Sequence, residues 1–227
     1  MSDTTTPEQL PGSFDAWWSA PGDWVEEPNQ ARSGWSGVMR VTVGKALYYV
    51  KKQQNYRCRT WKHPFGIPTV SREFQNILSL SLLGLRVPVP VFHGAREHEG
   101  NTEALLVTES LDDFVDFDHL PPLSPAQAAQ LAELAGNAVG RLHRAGFRHG
   151  CLYGKHLMAR HIDSAPEIAF IDLEKLRFAL FKGRAIRHDL EQLQRRQHIW
   201  DSTQWLIFLA AHERALRGRS ATAGKVY

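Results

Sequence analysis

The feature that most constrains this chain is the stretch from Gly146 to Glu174, GFRHGCLYGKHLMARHIDSAPEIAFIDLE. It begins where a long alanine- and leucine-rich segment stops at a glycine. A short loop crowded with His, Cys, Tyr and Lys follows, then a turn-rich gap, then the apolar run Ile168 to Ile171 closed by Asp172. Reactive side chains set between a helix and a buried strand sit on a loop positioned by a rigid scaffold, where binding and catalytic residues concentrate.

The bulk of the chain agrees with a packed fold around that loop. Its 227 residues are enough to bury a core, as one large domain or two small lobes. Hydrophobic residues make up 43% and charged ones 22%, ordinary values for a folded chain and wrong for a disordered one. Twenty-seven Lys and Arg against 24 Asp and Glu leave +3, too little for a polycationic nucleic-acid binder. The basic excess is local: Lys51, Lys52, Arg57, Arg59, Lys62 and His63 form one group, and Lys175 to Arg196 holds another. Two cysteines, Cys58 and Cys151, make no disulfide framework and suit a reducing compartment. The start, MSDTTTPEQLPG, lacks the charged and apolar regions of a secretory signal. The longest apolar run, Trp205 to Ala211, falls far short of a membrane span. A cytoplasmic location is therefore expected, with the chain resting on a membrane surface.

In chain order, residues 1 to 31 read as an N-terminal extension in which Trp17, Trp18 and Trp24 are expected to pack across the first lobe. Two strands follow, Val38 to Val43 and Ala46 to Lys52, divided by Gly44-Lys45. The preceding Ser33-Gly34-Trp35-Ser36-Gly37 reads as a glycine-bearing loop of the kind that lets backbone amides approach a phosphate. Residues 53 to 68 hold too many breakers for a helix. The next helix is expected from Ser71, as its cap, to Leu83, with Phe74, Ile77, Leu78 and Leu82 on its packed face and Gly84 as its stop. Leu85 to Phe92 is extended, and Ala104 to Thr108 is a short buried strand that runs into the acidic ESLDDF. Ser124 to Ala145 carries a helical stripe at Leu131, Leu134, Ala138 and Leu142. A last helical stretch is expected from Asp189 to Leu216. Strands and one helix first, then mostly helices, make an α+β protein.

Seven segments in register resemble the lipopolysaccharide core kinase (Kdo and heptose kinase) family, and its small InaA-type branch in particular. They are GWSGV from Gly34, YYVKKQ from Tyr48, the Glu73 helix with LGLRVPVP, LLVTESL from Leu105, LHRAGFRHGCLYGKHL from Leu142, FIDLEK from Phe170, and RHDLEQL from Arg187. The resemblance implies a protein-kinase-like two-lobed fold, with a small β-rich N-lobe at 32–108 and a mostly helical C-lobe at 109–227. It implies ATP and Mg²⁺ as cofactors. As partners it implies a nucleotide and an anionic glycolipid or core oligosaccharide acceptor, phosphorylated on a sugar hydroxyl. Gly34, Gly37, Lys51, Glu73, Glu109 and Leu111 fall at nucleotide-binding positions. Lys52 competes with Lys51, because adjacent strand residues point to opposite faces and the sequence leaves the register open. Asp172 and His156 fall at metal-binding positions. Asp189 falls where an acid braces the catalytic loop, and an N-cap role fits it equally. The basic excursion from Arg57 to His63 is a candidate contact for the acceptor or the membrane.

The catalytic loop departs from the family. Active core kinases read His-Arg-Asp-Cys-Tyr followed by a histidine; here His149 is kept, Gly150 and Cys151 replace the Arg and the catalytic Asp, and Tyr153 and His156 are in register. A thiol with an ordinary pKa near 8.5 is largely neutral at pH 7 and a weak acceptor. General-base help supplies roughly 10²–10⁴-fold, against total accelerations of about 10⁶ and more. Two readings follow: a slow phosphotransferase, or a catalytically impaired pseudokinase that binds nucleotide or a partner. The kinase-like frame uses no covalent cysteine. No HExxH or CxxC spacing points to zinc.

Overall fold

The computed structural model describes residues 10–31, 33–59 and 63–218. The start of the N-terminal extension, Arg32, and Thr60 to Lys62 of the basic excursion lie outside them. Among the described residues the fold mixes α and β: an antiparallel five-stranded sheet, three smaller pairings or sheets, and five α-helices. Two compact units form, one from residues up to Ile77 with Pro88–Leu111, the other from Leu78–Val87 with the residues from Asp112 on.

The first unit opens with a short helix, α1 (Phe14–Trp18), capped by the Ser13 hydroxyl. Strands β1 (Asp23–Ala31), β2 (Gly34–Val43) and β3 (Ala46–Gln54) follow, then the small pair β4 (Arg57–Cys58) and β5 (Ile67–Pro68). Helix α2 (Thr69–Leu82) contains the boundary between the units, and β6 (Pro90–His98) and β7 (Asn101–Glu109) form a hairpin turning at Glu99-Gly100. The sheet order is β1-β2-β3-β7-β6, antiparallel throughout. One face of the sheet carries Met39, Val41, Tyr48, Val50, Leu105 and Val107, packed with Trp17 of α1. Trp17 is fully buried and meets the Tyr48 ring edge-on at 5.6 Å. Strand β1 is exposed along its whole length, and without period-2 apolar alternation nothing local marks it as a strand.

Helix α2 starts at Thr69, two residues before the expected cap. Gln53 of β3 provides the reason: its Oε1 accepts the Val70 amide at 3.1 Å while its Nε2 donates to the Thr69 and Ser36 hydroxyls. A side chain from another element caps the helix, so Ser71 lies inside it and contacts His93 Nε2 at 2.9 Å. The packed face is Val70, Glu73, Ile77 and Leu80; Leu82, expected inward, is 89% exposed.

The second unit contains β8 (Val115–Asp116), the long helix α3 (Pro125–Arg144), β9 (Phe147–Arg148), β10 (Leu157–Arg160), β11 (Glu167–Phe170), β12 (Arg177–Phe178), α4 (Lys182–Arg196) and α5 (Ser202–Leu216). A Ser124–Gln127 capping box starts α3 and Gly146 ends it. Helices α3 and α5 pack closely because Gly136 and Gly140 meet the Phe208 and His212 carbonyls where no side chain would fit. Strands β11, β10 and β8 form one small sheet, and β9 pairs with β12. The expected single stretch from Asp189 to Leu216 is two helices, divided where Asp201 begins α5 with its own capping box.

Candidate active site

Two constellations hold the residues singled out by the sequence, one in each unit. In the first, Lys51 Nζ lies 2.8 Å from Glu73 Oε2, with both side chains mostly shielded. Alternation along β3 decides which lysine does this. Tyr48, Val50 and Lys52 face the Trp17 core, whereas Lys51 and Gln53 face α2. Lys52 instead donates to the Trp18 carbonyl at 2.6 Å, and burial lowers its pKa. The Gln53 clamp fixes the first turn of α2, so Glu73, one turn further along, arrives opposite Lys51.

The expected glycine-bearing loop is strand instead: Gly34 and Gly37 lie within β2, paired with β1 and β3. A Cβ at Gly34 would collide with the Gln54 carbonyl, and one at Gly37 with the Trp24 ring. These glycines answer to close strand packing, which reads the same in sequence as a turn. Glu109 ends β7 opposite Tyr48, with its amide on the Val89 carbonyl at 2.8 Å. Leu111 follows two residues on, half-buried.

In the second unit, Asp189 organises the loop. It is the eighth residue of α4 and fully buried, so the N-cap alternative is excluded. Its Oδ2 accepts the His149 amide at 2.7 Å and its Oδ1 accepts the Gly150 amide at 3.0 Å. His143 Nε2 approaches the same carboxylate at 3.2 Å, and His143 Nδ1 lies 2.8 Å from His212 Nε2. A buried relay thus joins α5, α3 and α4 to the loop backbone. Burial alone would raise the Asp189 pKa; the bonds from His143 and the two amides outweigh it and hold the carboxyl below its usual range. Gly150 has φ +83°, so the position that is Arg in active relatives takes a left-handed conformation that a side chain disfavours.

Around this brace, Cys151 Sγ lies 3.3 Å from Asp172 Oδ2 and 3.6 Å from His149 Nδ1. Burial first, and the Asp172 charge second, push the thiol far above its ordinary pKa, so it is a neutral donor to the carboxylate. His149 is fully buried, which lowers its pKa to about 4. His156 Nδ1 lies 2.6 Å from the Cys151 carbonyl and must donate there, leaving the Nε2 lone pair 3.3 Å from Asp172 Oδ2. Burial lowers the His156 pKa as well, so that ring is neutral. Asp172 follows β11 with φ +54° and ψ +59°, a strained backbone that Asp tolerates better than most residues. Its side chain remains 35% exposed. Tyr153 lies under the Arg196 guanidinium, 4.5 Å from the ring centroid.

The lipopolysaccharide kinase (Kdo/WaaP) family model matches residues 15–212. The chain belongs to the lipopolysaccharide kinase family. Protein InaA of Escherichia coli strain K12 is 37% identical over 188 residues, spanning 80% of this chain and 87% of that one. Among solved structures, WaaP in complex with acyl carrier protein matches with a TM-score of 0.68 at 25% identity, over 90% of this chain and 84% of that chain.

Within this member of the lipopolysaccharide kinase family, then, Lys51 and Glu73 meet in one unit, and His149, Cys151, His156, Asp172 and Asp189 meet in the other. Sequence reasoning missed Gln53, His143 and His212. Nothing in a sequence marks a glutamine that caps a distant helix or a histidine buried between helices. It also missed an exposed apolar group, Phe178, Leu180 and Phe181, the last two 86% and 78% exposed, beside exposed Arg177, Lys182, Arg184 and Arg187. Two residues past the basic excursion, Phe65 is 92% exposed; Lys62 lies outside the described residues.

Proposed function

We propose that the chain is an ATP-dependent phosphotransferase with a protein-kinase-like, two-lobed fold that phosphorylates a sugar hydroxyl of a membrane-associated glycolipid. The observation that carries this reading is the Lys51–Glu73 ion pair, with N–O distance 2.8 Å. An ammonium fixed by a shielded carboxylate is poised to take phosphate oxygens, and phosphoryl transfer depends mainly on such positioning and charge stabilisation. A bound nucleoside triphosphate with its divalent cation would supply the transferable group and screen its charge. Asp172 fits one part of that need: a single exposed carboxylate oxygen suffices for Mg²⁺ when phosphates and waters complete its shell. The neighbouring thiol and imidazole add nothing for so hard an ion. Asp189 holds the loop backbone in place, whereas Cys151, buried and neutral, accepts no proton from an acceptor hydroxyl. Gly34, Gly37, Glu109 and Leu111 are assigned to the nucleotide by family position.

That same thiol favours a second reading, a nucleotide-binding pseudokinase, because the residue in the base position is spent as a donor to Asp172. For the acceptor, we assign membrane contact to Phe178, Leu180 and Phe181. Exposed apolar side chains beside four cations suit an anionic lipid surface. No helix among the described residues is long and apolar enough to cross a membrane, so contact would be peripheral.

Thermal stabilisation by ATP, with and without Mg²⁺, on wild type and Asp172→Asn tests nucleotide binding. A Mg²⁺-dependent shift lost in Asp172→Asn is expected, and no shift in wild type overturns both readings. Labelled phosphate transfer to core lipopolysaccharide then separates the kinase from the pseudokinase.

A further inference from the structure

Donor atoms of four residues converge in the second unit: His149 Nδ1, Cys151 Sγ, His156 Nε2 and Asp172 Oδ2. We propose that they form a binding site for a borderline transition-metal ion of the Zn²⁺ and Co²⁺ class. One donor atom each from His149, Cys151 and His156 lies within 4.8 Å of the others. Three pairs are tighter: 3.6 Å from sulfur to His149 Nδ1, 3.3 Å from sulfur to Asp172 Oδ2, and 3.3 Å from His156 Nε2 to the same oxygen. Around a tetrahedral zinc ion with its usual bond lengths, neighbouring donors stand roughly 3.3–3.7 Å apart. Three of the donor pairs therefore already stand at coordination-shell spacing, and the His149, Cys151 and His156 donors, within 4.8 Å of one another, need only close slightly around an ion.

The direction of the donors supports the same reading. His156 Nδ1 is committed to the Cys151 carbonyl at 2.6 Å, the kind of outer bond that fixes tautomer and ring angle in metal-ligating histidines. Its Nε2 lone pair then faces an anionic oxygen with no proton of its own to offer. A cation between them turns that repulsion into two bonds. The His149 ring stacks 6.0 Å from the His156 ring, with 14° between planes, and Asp189 fixes the His149 backbone. The backbone is held in demanding conformations at both ends, at Gly150 and Asp172. Asp172, alone of the four, is substantially exposed and gives the ion its entry.

The chemistry of the set selects the ion. A thiolate and two imidazoles favour zinc-class ions, whereas Mg²⁺ and Ca²⁺ require oxygen. Binding converts the Cys151 thiol to thiolate and releases its proton to solvent. The sequence concealed this site because its spacing, His-x-Cys followed five residues later by His and sixteen later by Asp, matches no familiar zinc pattern. The replacement of the family's catalytic Asp by Cys151 thus exchanges a base for a metal ligand. The site does not rest on nucleotide binding, and its test contains no nucleotide.

The test is titration of the full-length, reduced, chelator-stripped protein with Co²⁺ alone, followed by Zn²⁺. Expected are one equivalent bound, a near-ultraviolet thiolate-to-cobalt band, intense tetrahedral visible bands, and full displacement by Zn²⁺. The band should vanish in Cys151→Ser and persist in Cys58→Ser, and His156→Gln should weaken Zn²⁺ binding at least ~10-fold. Mg²⁺ in excess should displace nothing. A folded wild type that gives no thiolate band overturns the proposal, as does binding that Cys151→Ser leaves unchanged (an adventitious surface-histidine site only). Should Cys151→Ser fail to fold, X-ray absorption at the zinc edge of the wild type decides. One sulfur at ~2.3 Å supports the site, and a shell of nitrogen and oxygen alone overturns it.

Discussion

Cys151 Sγ sits 3.3 Å from Asp172 Oδ2, a thiol donating to a carboxylate at the place where active relatives carry a second acid. Replacing sulfur by a carboxylate would set two anions in contact in a buried site. Cys151→Asp is therefore expected to be less stable than wild type without divalent cations, by ~1–3 kcal/mol, because one acid must take a proton or remain unpaired. Mg²⁺ with ATP should restore the loss. Melting temperatures with and without Mg²⁺-ATP read both effects, and a gain in phosphate transfer by this variant would mark the rest of the site as complete.

The alternation of β3 separates two adjacent lysines. Lys51→Met removes the ammonium that meets Glu73. Nucleotide affinity is expected to fall at least ~10-fold, the scale of one charge-assisted contact. Lys52→Met removes only a bond to the Trp18 carbonyl on the opposite face, and its nucleotide affinity should match wild type. Isothermal titration with ATP on both variants distinguishes them; equal losses would contradict the assignment.

Asp189 carries four polar approaches in a fully buried position: the amides of His149 and Gly150, His143 Nε2 at 3.2 Å, and His188 Nδ1 at 3.4 Å. Asp189→Asn keeps the volume but replaces an accepting oxygen with a donating NH₂, which must face an N–H. A loss of about 3–5 kcal/mol is expected, the scale of breaking a buried charged network. Hydrogen exchange at the His149 and Gly150 amides should accelerate more than exchange in β3, which has no part in this network.

The apolar group at Phe178, Leu180 and Phe181 is expected to bring the protein to anionic vesicles. Each adjacent Lys or Arg adds ~1 kcal/mol near such a surface. Leu180→Ser with Phe181→Ser should abolish co-sedimentation with phosphatidylglycerol vesicles while leaving the melting temperature unchanged, since both side chains are exposed. Binding to neutral vesicles as strong as to anionic ones would remove the role of the cations.

The sequence announced what local pattern can carry. Helix α3 was legible from its stripe, its Ser124 start and its glycine stop, and the core of β3 from its β-branched and aromatic residues. The order of motifs placed His149, Cys151, Asp172 and Asp189 on one loop and its supports. What it could not carry was long-range satisfaction of polar groups. Gln53 starts α2 from a strand sixteen residues away, so Ser71 was mistaken for the cap. Asp189 lies within α4, and the first two turns before it, Lys182 to His188, have no strong apolar period by which the sequence could reveal them. The joining of four donors into one cluster depends on a left-handed turn at Asp172 and a neutral, oriented His156, neither visible in composition or spacing.

The His212–His143–Asp189 relay gives stability a pH dependence with a definite sign. His212 is buried against His143 and the Phe208 ring, and burial lowers its pKa from 6.5 to about 4. The unfolded chain therefore binds this proton from pH 6.5 downward while the folded chain refuses it until about pH 4. The His212 contribution is fully present above the unfolded value and falls as pH falls through that window, by at most about 3 kcal/mol, and buried His149, also lowered to about 4, loses stability in the same interval. Asp189, held below its ordinary pKa, contributes stability above the usual carboxylate range that is lost only at still lower pH. Urea unfolding at a series of pH values should show the first loss between about pH 6.5 and 4 in wild type. His212→Gln can still donate to His143 and does not titrate, so its profile should be flatter in that interval; an unchanged slope would assign the loss to other groups.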